Sequence, residues 1–152
     1  MVTRGGPADA VWYTPPMEPI STPSAPAPAG HYSQAITHAG LVFVAGQLPL
    51  DRRSGEVVGG DSAAAQTEQT LRNVEAILLA AGSGLDRILS ATVYTTSRDH
   101  WKDVNATFAR MLGEHRPARA IVPVASLRVG CLVEIQVIAA ARIATVPAPR
   151  VP

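Results

Sequence analysis

Two ionisable side chains stand inside otherwise apolar runs. Arg119 lies in Pro117-Ala118-Arg119-Ala120-Ile121-Val122, and Glu134 lies in Leu132-Val133-Glu134-Ile135-Gln136-Val137. A guanidinium offers paired N–H donors that grip a carboxylate through two parallel hydrogen bonds, which fixes its pose as well as supplying charge. A carboxylate beside a reacting atom takes up protons and returns them. In one cleft, the two would hold a carboxylate-bearing small molecule and move protons on it. The same residue types also suit a structural ion pair or solvated strand-edge positions. Taken by themselves, the residues leave that reading open.

Other chemistries find no support in the residue pattern. The four histidines (His31, His38, His100 and His115) are not spaced as zinc ligands, and Cys131 is the sole cysteine. Gly82-Ser83-Gly84 does not extend into a dinucleotide fingerprint, and it follows a helical pattern rather than a strand. No Walker-type loop occurs. No metal and no bound cofactor are therefore expected. A formal charge of +1 over 152 residues, without a run of Lys or Arg, argues against nucleic acid as a partner. No apolar run reaches the roughly 18 residues of a membrane span. Residues 1–17, broken by Gly and Pro, lack the plan of a secretory signal. One cysteine allows no internal disulfide. The expectation is a cytoplasmic protein without a membrane partner.

The elements that must position Arg119 and Glu134 follow from the hydrophobic period. Ala64, Thr67, Leu71, Val74, Leu78 and Ala81 recur at steps of three and four, which predicts a helix with Asp61 near its start and Gly82 just past its end. Trp101, Val104, Phe108 and Met111 predict a second helix, with Asp99 as its candidate cap. The β-branched run from Ile88 to Thr96 predicts a strand. Ala118 to Ala125 and Cys131 to Ala141 predict two more, joined near Arg128-Val129-Gly130. His31 to Ala45 holds two short extended runs about a turn at Ala39-Gly40, and Ile20 to Thr22 could add a short edge strand. Asp51 to Gly60 is polar and Gly-rich, so it reads as a loop.

Strand side chains alternate, so Glu134 and Gln136 share one face while Val133, Ile135 and Val137 share the other. The order is strands, helix, strand, helix, two strands. A single α+β domain with one sheet and both helices on one face buries both helical stripes economically. The prolines of the first 30 residues exclude helix there. Residues 1–17 read as a flexible Pro-rich arm, 18–143 as the domain and 144–152 as a flexible tail.

Further stretches carry a resemblance. In chain order they are Ala25-Pro26-Ala27, Gly30-His31-Tyr32-Ser33-Gln34-Ala35, Leu41-Val42-Phe43-Val44-Ala45-Gly46-Gln47-Leu48-Pro49 and Gly55-Glu56-Val57-Val58-Gly59-Gly60. Gln66-Thr67 with Thr70-Leu71 and Asn73, then Ala80-Ala81-Gly82, follow. Gly113-Glu114-His115-Arg116-Pro117-Ala118-Arg119 and Val133-Glu134-Ile135 complete the set. From about Ile20 to Ala141 the chain resembles the RidA (YjgF) family of enamine/imine deaminases. The resemblance implies a chorismate-mutase-like α+β domain, a mixed six-stranded sheet with two helices on one face, and a homotrimer with clefts between subunits. It implies hydrolysis of reactive 2-imino acids or enamines to 2-keto acids and ammonia, without a bound cofactor. It gives Arg119 the grip on the substrate carboxylate and Glu134 the place beside the attacking water. Tyr32, Asn105, Ala45 and Gly46 would line the cleft, and the backbone carbonyl of Ile121 would orient the water.

Four differences from that pattern stand out. His31 replaces a proline, Ala45 replaces a serine, Ala120-Ile121 replaces a Ser/Thr-Cys/Val pair, and Pro123 replaces an acidic residue. Pro123 also deletes a backbone donor, which predicts an edge or bulged position. Together they point to a drier pocket and a pathway-specific imine. Two further classes compete: a non-catalytic trimer that binds carboxylate metabolites, and a ribonuclease or translation inhibitor. The near-neutral charge and the absence of an aromatic-basic platform disfavour the latter.

Overall fold

The period-two runs of the sequence pair into one sheet, and the two period-3.6 runs coil against it. The computed structural model describes residues 15–141, so most of the expected arm and all of the expected tail lie outside the described residues. The elements are β1 (Glu18–Ile20), β2 (Ala35–His38), β3 (Leu41–Gln47), α1 (Ala63–Ala80), β4 (Ile88–Thr95), α2 (Trp101–Leu112), β5 (Ala118–Pro123) and β6 (Val133–Ala140). The six strands form one mixed sheet in the order β1-β2-β3-β6-β4-β5. Only β4 and β5 run parallel, as the helical crossover between them requires. Among the described residues, no helix is long and apolar enough to cross a membrane.

Both helices lie on one face. Leu71, Val74, Ile77 and Leu78 of α1 and Val104 of α2 are fully buried against Val42, Val44, Val93, Val133 and Ile135 of the sheet. Each such side chain contributes roughly 1.5–3 kcal/mol on leaving water. Among the described residues, the opposite face carries no helix. There Phe43 and Val122 are exposed, with Ile36, Tyr94 and Ile138 half-buried.

Local corrections have local causes. Asp61 lies near the start of α1 as expected, and the cap is Ser62: its hydroxyl accepts from the Ala65 N–H at 3.2 Å. Asp99 does not cap α2. Ser97 instead accepts from the Asp99 N–H and starts a 3-10 turn at Arg98–His100 that leads straight into the helix. The edge strand sits two residues earlier than Ile20 to Thr22, because the side-chain oxygen of Gln34 takes the Thr22 N–H at 2.6 Å and turns that segment away from β2. Ala39 and Gly40, with φ of 49° and 78°, make the tight two-residue turn between β2 and β3. Pro123 ends β5, which among the described residues pairs only with β4 and is an edge strand, as its missing donor demands.

Buried amides tie the loops to this frame. Gln66 of α1 donates to the carbonyls of Gly60 (2.6 Å) and Gly130 (2.8 Å) and accepts from the Leu132 N–H (2.7 Å). It thereby sets where β6, and Glu134 with it, enters the sheet. Replacing Gln66 by Leu keeps the volume but strands two carbonyls and one N–H. At about 1–3 kcal/mol for each group left unsatisfied, partly relieved by water, the variant should lose about 3 kcal/mol. A shifted urea midpoint with unchanged slope is the expected readout.

Candidate functional site

Arg119 faces the helices. It lies in register with Ala91 of β4, on the sheet face that α1 and α2 cover, and Ile121 follows in register with Val93 on that face. Asn105 and Phe108, three residues apart on α2, meet it there. The Arg119 Nη2 donates to Asn105 Oδ1 at 2.7 Å, and its guanidinium carbon stands 4.6 Å from the centre of the Phe108 ring. One contact fixes the direction of the fork and the other fixes its plane. Burial lowers the proton affinity of Arg119, yet a guanidinium stays charged at any physiological pH. A cavity of about 500 Å³ opens beside it, bounded by Asn105, Phe108, Leu112, His115 and Arg116 among others.

Glu134 faces the other way. It is in register with Tyr94 of β4, on the sheet face without helices. On its other side β3 bulges: Val44 pairs with Val137 but Gln47 pairs with Ile135, so three steps of β3 span two of β6. The extra length falls at Ala45-Gly46, where the Ala45 N–H donates to the Gln34 carbonyl at 3.0 Å. A Cβ on Gly46 would overlap Glu134 Oε1, so glycine here is what lets the carboxyl lie down against the bulge. Half-buried in that position, Glu134 has its pKa pushed up by desolvation. Tyr32, on the loop before β2, is exposed and accepts from the Ala29 N–H at 3.1 Å. With Gly46 and Arg128 it lines a second cavity of about 450 Å³.

The seven candidate residues thus fall into two groups. Arg119, Asn105 and Ile121 belong to the helix-covered side, while Glu134, Ala45, Gly46 and Tyr32 gather about the bulge. Arg119 and Glu134 do not form an ion pair; among the described residues Glu68 binds Arg72 and Arg110 instead, each at 2.6 Å. Neither is a freely solvated strand-edge residue: Arg119 is bonded and stacked, and Glu134 sits in an interior strand. Of the departures, His31 is exposed in a loop, and Ala120 is exposed on the face opposite Arg119. Of the Ala120-Ile121 pair, only Ile121 therefore shares the face of Arg119. Phe108 was legible only as a core-facing helix residue, and its i, i+3 spacing from Asn105 was the available signal for a shared role. Arg116 was not singled out at all. Among the described residues, no three His, Cys, Asp or Glu side chains gather as metal ligands.

Residues 22–141 match the family model described as Endoribonuclease L-PSP. A RutC family protein of Pyrococcus horikoshii is 43% identical over 80% of this chain and 96% of its own. The 2-iminobutanoate/2-iminopropanoate deaminase of Salmonella typhimurium is 37% identical over 81% of this chain and 97% of its own. The crystal structure of Escherichia coli TdcF with bound serine superposes with a TM-score of 0.77, at 31% identity, over 82% of this chain and 99% of that one.

The environment of Glu134 is open to direct measurement. Carboxyl-detected NMR should show Glu134 titrating above the ordinary glutamate value of about 4.3. In Gly46→Ala the added methyl drives the carboxyl toward water, so its midpoint should fall back. An unaltered midpoint in the variant would remove the bulge from the account.

Proposed function

The chain belongs to the Endoribonuclease L-PSP family, the RidA/YjgF group, and from that premise we propose that it is a homotrimeric hydrolase of reactive 2-imino acids and enamines. The observation that carries the proposal is the separation of Arg119 from Glu134. In one chain they lie two strands apart, about 10 Å by the usual strand spacing, and on opposite faces. A site using both needs the Arg119 face of one copy against the Glu134 face of another. Two different patches meeting head to tail form a ring, as in a cyclic trimer. The uncovered sheet face, with Phe43, Val122 and Tyr94, supplies the apolar surface such an interface requires.

The chemistry follows from the groups. The substrate carboxylate docks on the Arg119 fork, which Asn105 and Phe108 already hold in one plane, so little orientational freedom is left to lose. The partner subunit's Glu134, ionised, takes a proton from water as the oxygen bonds to the imine carbon. That proton passes to the nitrogen to give a carbinolamine; the same carboxylate then carries the hydroxyl proton to the amino group as the C=O bond forms and the C–N bond breaks, and a 2-keto acid and ammonia leave. In this reading the Ile121 carbonyl orients the water. Imines also hydrolyse in water unaided, so positioning plus proton transfer, typically about 10²–10⁴-fold for the latter, suffices. The relative named as a 2-iminobutanoate/2-iminopropanoate deaminase supports this reading. The serine bound to TdcF, itself a carboxylate, favours a second one: a trimer that binds such molecules without turning them over.

The test is a coupled assay in which an amino-acid oxidase makes the imine and semicarbazide traps whatever is not hydrolysed. Arg119→Ala should lose at least about 100-fold in rate, and Arg119→Lys should remain poor because a point charge cannot replace the fork. Glu134→Gln should still bind 2-keto acids but turn over about 10²–10⁴-fold more slowly. If wild type has no activity, the binding trimer replaces the hydrolase; if Glu134→Gln keeps full rate, Glu134 is not the group that moves the proton. Trimers reassembled from equal amounts of Arg119→Ala and Glu134→Gln chains should recover about a quarter of wild-type rate, one half times one half, since that share of sites is intact.

The pH profile has a definite sign. Glu134 must be ionised to accept the proton, and its pKa is raised, so kcat/KM should fall as pH drops through that raised value. The acid limb therefore lies above the position of an ordinary glutamate, and Glu134→Gln should abolish it.

A further inference from the structure

The cavity beside Arg119 holds a second cation with nothing to bind. Arg116 lies three residues ahead of Arg119, before β5 begins, and lines the same cavity of about 500 Å³. Most of the other arginines are committed. Arg72 and Arg110 pair with Glu68, and Arg52, Arg87, Arg119 and Arg128 hydrogen-bond through their side chains, whereas Arg53 and Arg98, which lie outside this cavity, do not. Arg116 has no such partner among the described residues, and it is exposed. Among the described residues, no aspartate or glutamate lines the cavity to neutralise it. His115, also in the lining, uses Nε2 to donate to the Ile88 carbonyl at 2.7 Å, since a carbonyl can only accept. Phe108, Ala109 and Leu112 add apolar side chains to the same lining.

The lining thus combines two guanidinium groups with apolar side chains. A small 2-imino monocarboxylate would use Arg119 and leave Arg116 in water. Their backbones are at most about 10 Å apart, three extended residues at roughly 3.3 Å each. Two long arginine side chains can converge across that span on the ends of a four- or five-carbon dicarboxylate. We propose that Arg116 is a specificity residue that grips a second carboxylate, and that the preferred substrates are 2-imino dicarboxylates. Such imines arise when an oxidase or a pyridoxal-type enzyme acts on an acidic amino acid. The inference rests on the imine-hydrolase reading for its chemistry, though not for its geometry. The apolar side chains carry the methylenes, and the second charge-assisted contact distinguishes the acidic imine from an aliphatic one of similar size.

Two measurements test it separately from the hydrolase reading. In the trapping assay, 2-iminosuccinate and 2-iminoglutarate are compared with 2-iminopropanoate. Wild type should prefer at least one dicarboxylate by tenfold or more in kcat/KM, and Arg116→Gln should erase that preference, mostly through KM. Arg116→Lys should restore part of it. By calorimetry, 2-oxoglutarate should bind wild type at least tenfold more tightly than 2-oxobutanoate, with the difference gone in Arg116→Gln. If wild type discriminates in binding but hydrolyses no imine, the hydrolase reading fails while the dicarboxylate subsite stands. If wild type shows no preference in either measurement, or Arg116→Gln weakens both classes equally, the inference is overturned.

Discussion

The alternation of side chains along a strand is the constraint on which everything else here depends. With α1 and α2 both on one face, each sheet position is committed either to the helix layer or to the uncovered face. Arg119 shares its face with Ala91 and Val93, and Glu134 shares the opposite face with Tyr94. No rotamer carries a side chain through a sheet. An account in which both residues act on one substrate is therefore also an account of assembly, and the exposed apolar groups on the uncovered face are what assembly would bury. Site and interface are one requirement seen from two sides.

Each half of the site is held by means suited to its charge. The guanidinium is confined by an acceptor and a ring on a helix, which orient it while leaving donors free. The carboxyl is confined by the absence of a side chain at Gly46, in a bulge that local backbone bonding fixes. Gln66 and Asn73 of α1 reach the loops at the ends of β6 and β3: Asn73 Nδ2 donates to the Leu48 and Leu50 carbonyls, both at 3.0 Å. These buried amides sit in the midst of the apolar stripe of α1. They are satisfied by backbone, which is why a helix can bury them without the usual penalty.

Much of this was legible in the residues. The two helices, the four longer strands and the face shared by Glu134 and Gln136 follow from period alone, because packing against a single core rewards a consistent stripe. Strand ends were less legible: β6 starts at Val133 rather than Cys131, since the Cys131 N–H turns back to the Arg128 carbonyl at 2.8 Å. The candidate pair was legible as chemistry but not as geometry. Sequence names Arg119 and Glu134 without saying that they face apart, because the relative phase of two strands depends on how they pair. The bulge at Ala45-Gly46 and the stacking of Phe108 are likewise properties of pairing and packing, invisible to a one-dimensional pattern.

The departures from the family pattern gain meaning once they are sorted by face. Ala120 is exposed opposite the Arg119 cavity, so its missing hydroxyl alters the uncovered face rather than the carboxylate grip. Ala45 lies in the bulge beside Glu134, and Pro123 stops the edge strand. Ala45 and Ala120 therefore lie on the Glu134 side of the sheet and Ile121 and Pro123 in register on the Arg119 side, while the cavity about Arg119 keeps its held guanidinium and its polar acceptor and carries the cation of Arg116. Selectivity at the carboxylate end is then a matter of how many anionic groups the cavity can satisfy, and dryness at the other end a matter of how closely two copies pack. The two properties are set by different residues on opposite sides of one sheet, so each can vary without disturbing the other.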